Sequence, residues 1–154
     1  MMQSKLSQVA VQVALSDEGK GEEPKGSNWG DYVKGLLASV GIGLPAAWCA
    51  AFVYHSFLLA SVQLGVKCGV PRTGGVLAMW NQSRDFRVQG MPQAGDIFIM
   101  DFGGGKGHTG IVVRVVGVHI ETIEGNTNDD GSREGFEVAR RKRTIASCKG
   151  FLRF

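Results

Sequence analysis

The apolar pattern of this chain changes its period once, near Pro92. Before that residue, apolar side chains recur at helical spacing over 5–16, 31–40 and about 45–63, and a shorter helix is predicted over 76–81. Beyond it, strand-like runs separated by glycine or asparagine turns cover 95–102, 108–116, 118–124, 136–143 and 148–154. Helices followed by strands, without a repeating βαβ pattern, predict an α+β fold with N-terminal helices packed on an antiparallel sheet of about five strands.

Length and composition are those of one globular domain over residues 1–154, with 44% hydrophobic and 20% charged residues. The net charge of +3 favours mild attraction to anionic surfaces such as a cell wall. We interpret the basic run 140–143 as part of an edge strand or a patch for anionic wall polymers, and predict no nucleic-acid partner.

The N-terminus does not resemble a signal peptide, because Gln3, Ser7 and Gln12 interrupt its apolar residues. No window reaches membrane-spanning length, so no membrane insertion is predicted. The three cysteines include no C-x-x-C pair, which argues against a disulfide framework or zinc ribbon. The acidic stretch 17–30 lacks the alternation D-x-D-x-D-G of calcium loops and is interpreted as an exposed loop, so no metal or other cofactor is predicted.

One cysteine lies at the opening of the third predicted helix, in the stretch PAAWCAAFVYHSF. With Pro45 at the first helical position, Cys49 falls in the first turn, where unpaired N–H groups favour a reactive thiolate. Apolar residues nearly surround this helix, which indicates that it is buried. His55 is six residues further on, roughly 240° around the axis, and cannot serve as the base for Cys49.

A base for that thiol is available elsewhere in the chain. His108 lies in a glycine-rich turn before a predicted strand, and Glu124 and Asn126 end the next strand, on the same face as Thr122. His119 lies on the opposite face and is disfavoured as a partner of Glu124. Across a hairpin, His108 could hydrogen-bond with Glu124 or Asn126, and spacing leaves that choice open. Cysteine, histidine and a polar partner form the set used by cysteine hydrolases.

These residues lie in segments that together resemble the CHAP family, the cysteine, histidine-dependent amidohydrolases/peptidases with a papain-like core. The segments are WCAAFV around Cys49, PQAGDIFIM at 92–100, GHTGIVV at 107–113 and IEGNTN at 123–128. The resemblance implies that Cys49 is the nucleophile, His108 the general base and then acid, Glu124 the residue that orients His108, and Asn126 an additional polar member. We further predict that Trp48 and Trp80 line the substrate cleft.

The resemblance also implies the substrate, bacterial peptidoglycan. Such enzymes hydrolyse either the amide between the muramic acid lactyl group and L-alanine or one within the stem peptide or cross-bridge. A non-catalytic wall-binding module and an acyltransferase or deamidase on the same core are the alternatives.

The chain would be made in the cytoplasm and would reach the wall or periplasm by phage lysis, a tail or a secretion system. A monomer is expected, and an inhibitor or immunity protein is left open as a partner. We expect the sulfur and the imidazole to lie side by side in a groove open to water.

Overall fold

A computed structural model describes residues 2–125 and 135–154 of the chain. Within these ranges the helices are α1 (Lys5–Ser16), α2 (Asp31–Ser39), α3 (Cys49–Leu64) and α4 (Val76–Gln82). The strands are β1 (Ile97–Gly103), β2 (Lys106–Val116), β3 (His119–Gly125), β4 (Val138–Thr144) and β5 (Gly150–Leu152). Short 3₁₀ turns occupy Arg84–Phe86 and Ile145–Ser147. The predicted α+β class, helices packed on a five-stranded antiparallel sheet as in a papain-like core, is confirmed.

The strands form one sheet in the order β4-β3-β2-β1-β5, and every pairing is antiparallel. β1 to β4 lie side by side in chain order, and β5 returns to the far edge beside β1. β4 lies at the other edge, as predicted for the basic run that it carries. The register places His108 opposite Met100, and Val112 opposite Thr122.

Helix α3 lies at the centre of the fold. Its buried residues occur on every side of the helix: Cys49, Ala50, Ala51, Phe52, Val53, Tyr54, Ser56, Phe57, Ala60 and Ser61. The helix ends at Gly65, whose left-handed backbone (φ 68°) is a conformation that glycine adopts without steric cost. No helix among the described residues is long and apolar enough to cross a bilayer.

The predicted start of α3 is wrong by four residues. Pro45 does not begin the helix; residues 45–48 are non-helical and Cys49 is the first helical residue. The physical reason is the burial of Trp48, whose indole N–H donates to Glu22 and holds this segment against the core outside the helix. Cys49 is therefore closer to the helix terminus than the sequence suggested.

The sheet has apolar residues on both faces, as strand alternation requires. Ile97, Ile99, Ile111 and Ile123 belong to the main core with the helices. Phe98, Met100, Val112, Ile120 and Phe151 form a second, smaller cluster. Residues directly opposite one another in a ladder share a face of the sheet. His108 is opposite Met100, and Thr122 is opposite Val112, so His108, Thr122 and Glu124 all lie on the face of the second cluster. The second cluster therefore packs beside these polar groups.

An ion pair with a buried carboxylate holds the residue that follows β5. The Asp96 carboxylate is 1% exposed and accepts two hydrogen bonds of 2.8 Å from Nε and Nη2 of Arg153. We predict that Arg153→Met lowers the free energy of unfolding by roughly 2 to 3 kcal/mol, because the buried Asp96 carboxylate loses its counter-charge and two hydrogen bonds and keeps only the one from Gln93 N–H. Urea denaturation measures the loss. Arg114→Met is the matched control, since Arg114 pairs with Glu121 on the surface, and it should change stability little.

Candidate active site

Cys49 is the first residue of α3, and the backbone N–H groups of the first turn of that helix are uncapped. The first hydrogen bond within the helix runs from Phe52 N–H to the Trp48 carbonyl, at 2.9 Å. Trp48, at the cap position, makes no side-chain capping bond. The N–H groups of the first turn therefore have no acceptor within the helix, and their partial positive charge favours an anion beside Cys49.

His108 and Glu124 meet across the β2–β3 hairpin. Nε2 of His108 and Oε1 of Glu124 are 2.8 Å apart, and both side chains are buried. The structure thus brings together the histidine and one of its two predicted partners. Asn126, the other, lies outside the described residues, so its role stays a prediction.

The second nitrogen of His108 is left for Cys49. Nδ1 is buried and makes no standard hydrogen bond within the described ranges. Burial by itself would lower the pKa of His108, but the interaction with the Cys49 side chain and the hydrogen bond and charge of Glu124 outweigh burial and raise that pKa to about 9. Since Glu124 occupies Nε2, we infer that Nδ1 is the atom facing the sulfur.

Glu124 is wholly buried and receives four donors. Oε1 accepts from His108 and from Nη2 of Arg143, the latter at 2.6 Å. Oε2 accepts from Nε of Arg143 and from the Thr122 hydroxyl, each at 2.6 Å. Burial would raise the pKa of this carboxyl, but the bonds and charges of Arg143 and His108 prevail and lower it to about 2. The carboxylate is therefore ionised beside the imidazole.

Two glycines make room for this arrangement. A Cβ on Gly110 would come within 2.7 Å of Cγ of Glu124 and 2.6 Å of the Phe98 ring. A Cβ on Gly125 would come within 2.9 Å of the Trp48 indole and 2.8 Å of Cβ of Phe52. Gly110 allows the Glu124 side chain to pass over β2, and Gly125 allows the end of β3 to pack against the start of α3. Neither contact leaves space for a side chain.

Trp48 is a core residue, and the prediction that it lines a substrate cleft is wrong. Its exposure is 0%, its indole N–H donates to Oε1 of Glu22 at 2.9 Å, and Tyr32 packs edge-on against it. Glu22 is itself 5% exposed and also accepts from Gly26 N–H at 2.7 Å. The interpretation of 17–30 as an exposed loop is therefore corrected for Glu22, because a buried indole N–H requires an acceptor and this loop supplies it.

Trp80 is half-buried on α4. The Arg87 guanidinium lies 4.1 Å from its ring centroid, and a Cβ on Gly150 would come within 2.5 Å of the ring. Part of the indole remains accessible. Its role in substrate binding stays a prediction.

The sulfur and the imidazole lie beneath the surface. Cys49 and His108 are each only 2% exposed, which contradicts the expectation of a groove open to water over both groups. The other two thiols, Cys68 and Cys148, are free and half-buried. Within 2–125 and 135–154, no three His, Cys, Asp or Glu side chains are grouped so that they could hold a metal ion.

Arg143 is the site residue that sequence reasoning missed. It was placed in the basic run of an edge strand, whereas its guanidinium binds Glu124 through two nitrogens. Strand alternation separates Arg141 and Arg143 from Arg140 and Lys142. That periodicity was a usable signal, but choosing the pair that faces Glu124 requires the register of β4 on β3.

The model of the CHAP domain family matches residues 41–126, more than half of the chain. The matched range contains Cys49, His108 and Glu124. The chain therefore belongs to the CHAP domain family, whose members are typically amidohydrolases or peptidases associated with peptidoglycan.

The solved crystal structure of Ly7917 is similar in fold, with a TM-score of 0.56 and 17% sequence identity. The match covers 96% of this chain and 61% of that one. At this identity the likeness shows the fold alone. No curated protein sequence matches this chain.

We predict that Gly110→Ala disrupts the site, because the added methyl group displaces Glu124 or Phe98. The expected loss is roughly 1 to 3 kcal/mol of unfolding free energy, with a slower reaction of Cys49 with iodoacetamide. Thermal unfolding and the alkylation rate measure the two effects. Gly43→Ala is the control, since its Cβ would meet nothing within 4 Å. Equal behaviour of the two variants would contradict this account of Gly110.

Proposed function

We propose that this protein hydrolyses amide bonds of bacterial peptidoglycan, with Cys49 as nucleophile, His108 as general base and acid, and Glu124 as the group that orients His108. The observation that carries the proposal is the position of the His108 imidazole. Nε2 is bound to the buried Glu124 carboxylate, and Nδ1 is buried and free of hydrogen bonds within the described residues. An interaction with the Cys49 side chain that raises the pKa of the imidazole agrees with this position. Membership of the CHAP family supports the choice of substrate.

The reaction begins with transfer of the thiol proton from Cys49 to Nδ1 of His108. The thiolate attacks the amide carbonyl and forms a carbon–sulfur bond. His108 then donates its proton to the nitrogen as the carbon–nitrogen bond breaks, which releases an amine and leaves a thioester. Water, deprotonated by His108, attacks the thioester, releases a carboxylic acid and restores the thiol.

The start of α3 supplies electrostatic stabilisation. The tetrahedral intermediate has an oxyanion next to the sulfur, close to the uncapped first turn of the helix. Backbone N–H groups there are fixed before the substrate arrives. They need not reorganise when the negative charge develops.

Glu124 selects the productive form of His108. An ionised carboxylate accepts a hydrogen bond from Nε2–H, which leaves Nδ1 free to take the thiol proton. The same carboxylate stabilises the imidazolium that results. This division of the two ring nitrogens between Cys49 and Glu124 is what the proposed mechanism requires.

Two amide classes fit the proposal: the lactyl–L-alanine bond, and a bond in the stem peptide or cross-bridge. The deep position of Cys49 favours a substrate that can present its carbonyl on a narrow strand, as an extended peptide does. Delivery to the wall by phage lysis, a tail or a secretion system is part of the same proposal.

We predict that purified protein releases new amino groups from isolated sacculi and that Cys49→Ala abolishes this release, because Cys49 is the proposed nucleophile. Amino-group assay and mass spectrometry of the muropeptides measure the activity and identify the bond. Cys68→Ala is the control and should retain activity. If Cys49→Ala binds sacculi normally and wild-type protein releases nothing, the protein is a wall-binding module instead.

We predict that iodoacetamide labels Cys49 before Cys68 and Cys148, although Cys49 is the least exposed of the three. In the proposed mechanism His108 accepts the proton of Cys49 and the helix terminus stabilises the resulting negative charge, whereas burial raises the pKa of Cys148. Peptide mapping over a time course at neutral pH gives the three rates. His108→Ala should slow only Cys49. Labelling in the order of exposure would contradict an activated thiolate.

A further inference from the structure

The Glu124 carboxylate has more partners than the orientation of one imidazole requires. Arg143 donates two hydrogen bonds of 2.6 Å, one to each oxygen, and Thr122 donates a third of the same length. Together with His108 these fill the roughly four lone-pair positions of a carboxylate. Arg143 itself is about a quarter exposed, so the charge that holds Glu124 comes from the edge of the sheet.

The charges of the buried site sum to zero only when Arg143 is counted with Cys49, His108 and Glu124. During the reaction, Cys49 as thiolate and Glu124 are negative, and His108 as imidazolium and Arg143 are positive. Without the guanidinium, the buried group would have a net charge of −1, which is unfavourable in a medium of low dielectric constant. Proton uptake by Glu124 would relieve that cost.

Protonation of Glu124 would prevent His108 from acting as the base for Cys49. A neutral carboxyl group would donate its hydrogen to Nε2, and the neutral imidazole would then hold its own hydrogen on Nδ1. An Nδ1–H group cannot accept the proton of Cys49. The contact that keeps Glu124 ionised therefore decides which tautomer His108 adopts.

We propose that Arg143 is a positioning residue of this site, an inference that rests on the proposed function. It holds Glu124 ionised and in place, and so directs Nδ1 of His108 toward Cys49. Arg143 does not touch the reacting atoms. Its guanidinium also lies 5.6 Å from the ring centroid of Phe98, and the same ring is 5.9 Å from the imidazole, so one buried phenyl group supports both partners of Glu124.

Few titratable or charged groups lie near Glu124 among the described residues. They are His108 from β2, Arg143 from β4, and Cys148 from the turn before β5, with Cys49 behind the imidazole. Arg141 lies two residues before Arg143 on the same face of β4 and opposite Thr122. It is not a partner of Glu124 and offers a matched control with the same change of charge.

The test compares Arg143→Met with Arg141→Met by two readouts. We expect the acid limb of the pH–rate profile for Cys49 alkylation by iodoacetamide to move up by roughly one pH unit in Arg143→Met, because Glu124 then takes up a proton at higher pH and no longer holds the productive tautomer of His108. With peptidoglycan fragments, kcat should fall about 10- to 100-fold, since proton transfer is impaired, while KM stays within about twofold. Arg141→Met should behave as wild type in both.

Arg143→Lys and Arg141→Lys form a second matched pair that keeps the charge, for use if Arg143→Met does not fold. A lysine cannot reproduce the two-nitrogen contact, so Arg143→Lys should show a smaller shift of the acid limb and a smaller loss of kcat. Identical profiles within each pair would overturn the proposal. If the acid limb of Cys49 alkylation shifts in Arg143→Met but wild-type protein releases no amines from peptidoglycan, the proposed function fails, whereas the role of Arg143 in positioning Glu124 stands.

Discussion

The hydrogen bond between Nε2 of His108 and the buried Glu124 carboxylate is the contact on which the site depends. It joins the two central hairpin strands through their side chains, and it leaves only Nδ1 of the imidazole for the sulfur. A carboxylate without exposure is costly unless its oxygens are paired. The partners from β2, β3 and β4 meet that requirement, so the sheet must form in register before the site can exist.

The buried carboxylate of Glu22 fixes the start of α3, where Cys49 lies. Glu22 accepts the indole N–H of Trp48 and the backbone N–H of Gly26, and so ties the loop after α1 to the residue that precedes Cys49. Because Trp48 is locked in the core, α3 begins at Cys49 and its first turn stays uncapped. Gly125 then lets the end of β3 approach Trp48 closely. The sulfur and the imidazole are thus placed by two separate polar networks behind them.

Burial changes how the chemistry should be understood. With Cys49 and His108 each 2% exposed, little water surrounds the pair, and electrostatic interactions within the group are stronger than they would be at a surface. The same burial limits which substrates can reach the sulfur. In the proposed mechanism, the charges around the sulfur determine its reactivity, and the shape of the surrounding surface determines which substrates reach it.

The sequence by itself determined the local structure and pointed to the candidate site residues. Hydrophobic periodicity gave α1 as Lys5–Ser16 and placed β1 to β5 within a few residues, because the two periods, 3.6 and 2, are properties of neighbouring positions. A cysteine at a helix start and a histidine and glutamate on adjoining strands could be found in the same way.

Only the tertiary structure decided the contacts between segments distant in the chain. The burial of Trp48 against Glu22, the start of α3 at Cys49 instead of Pro45, and the binding of Glu124 by Arg143 all depend on register and packing. Periodicity shows which residues of a strand share a face, but not which neighbour that face meets. The partner of a buried charge is fixed when the strands pair and the chain closes around it.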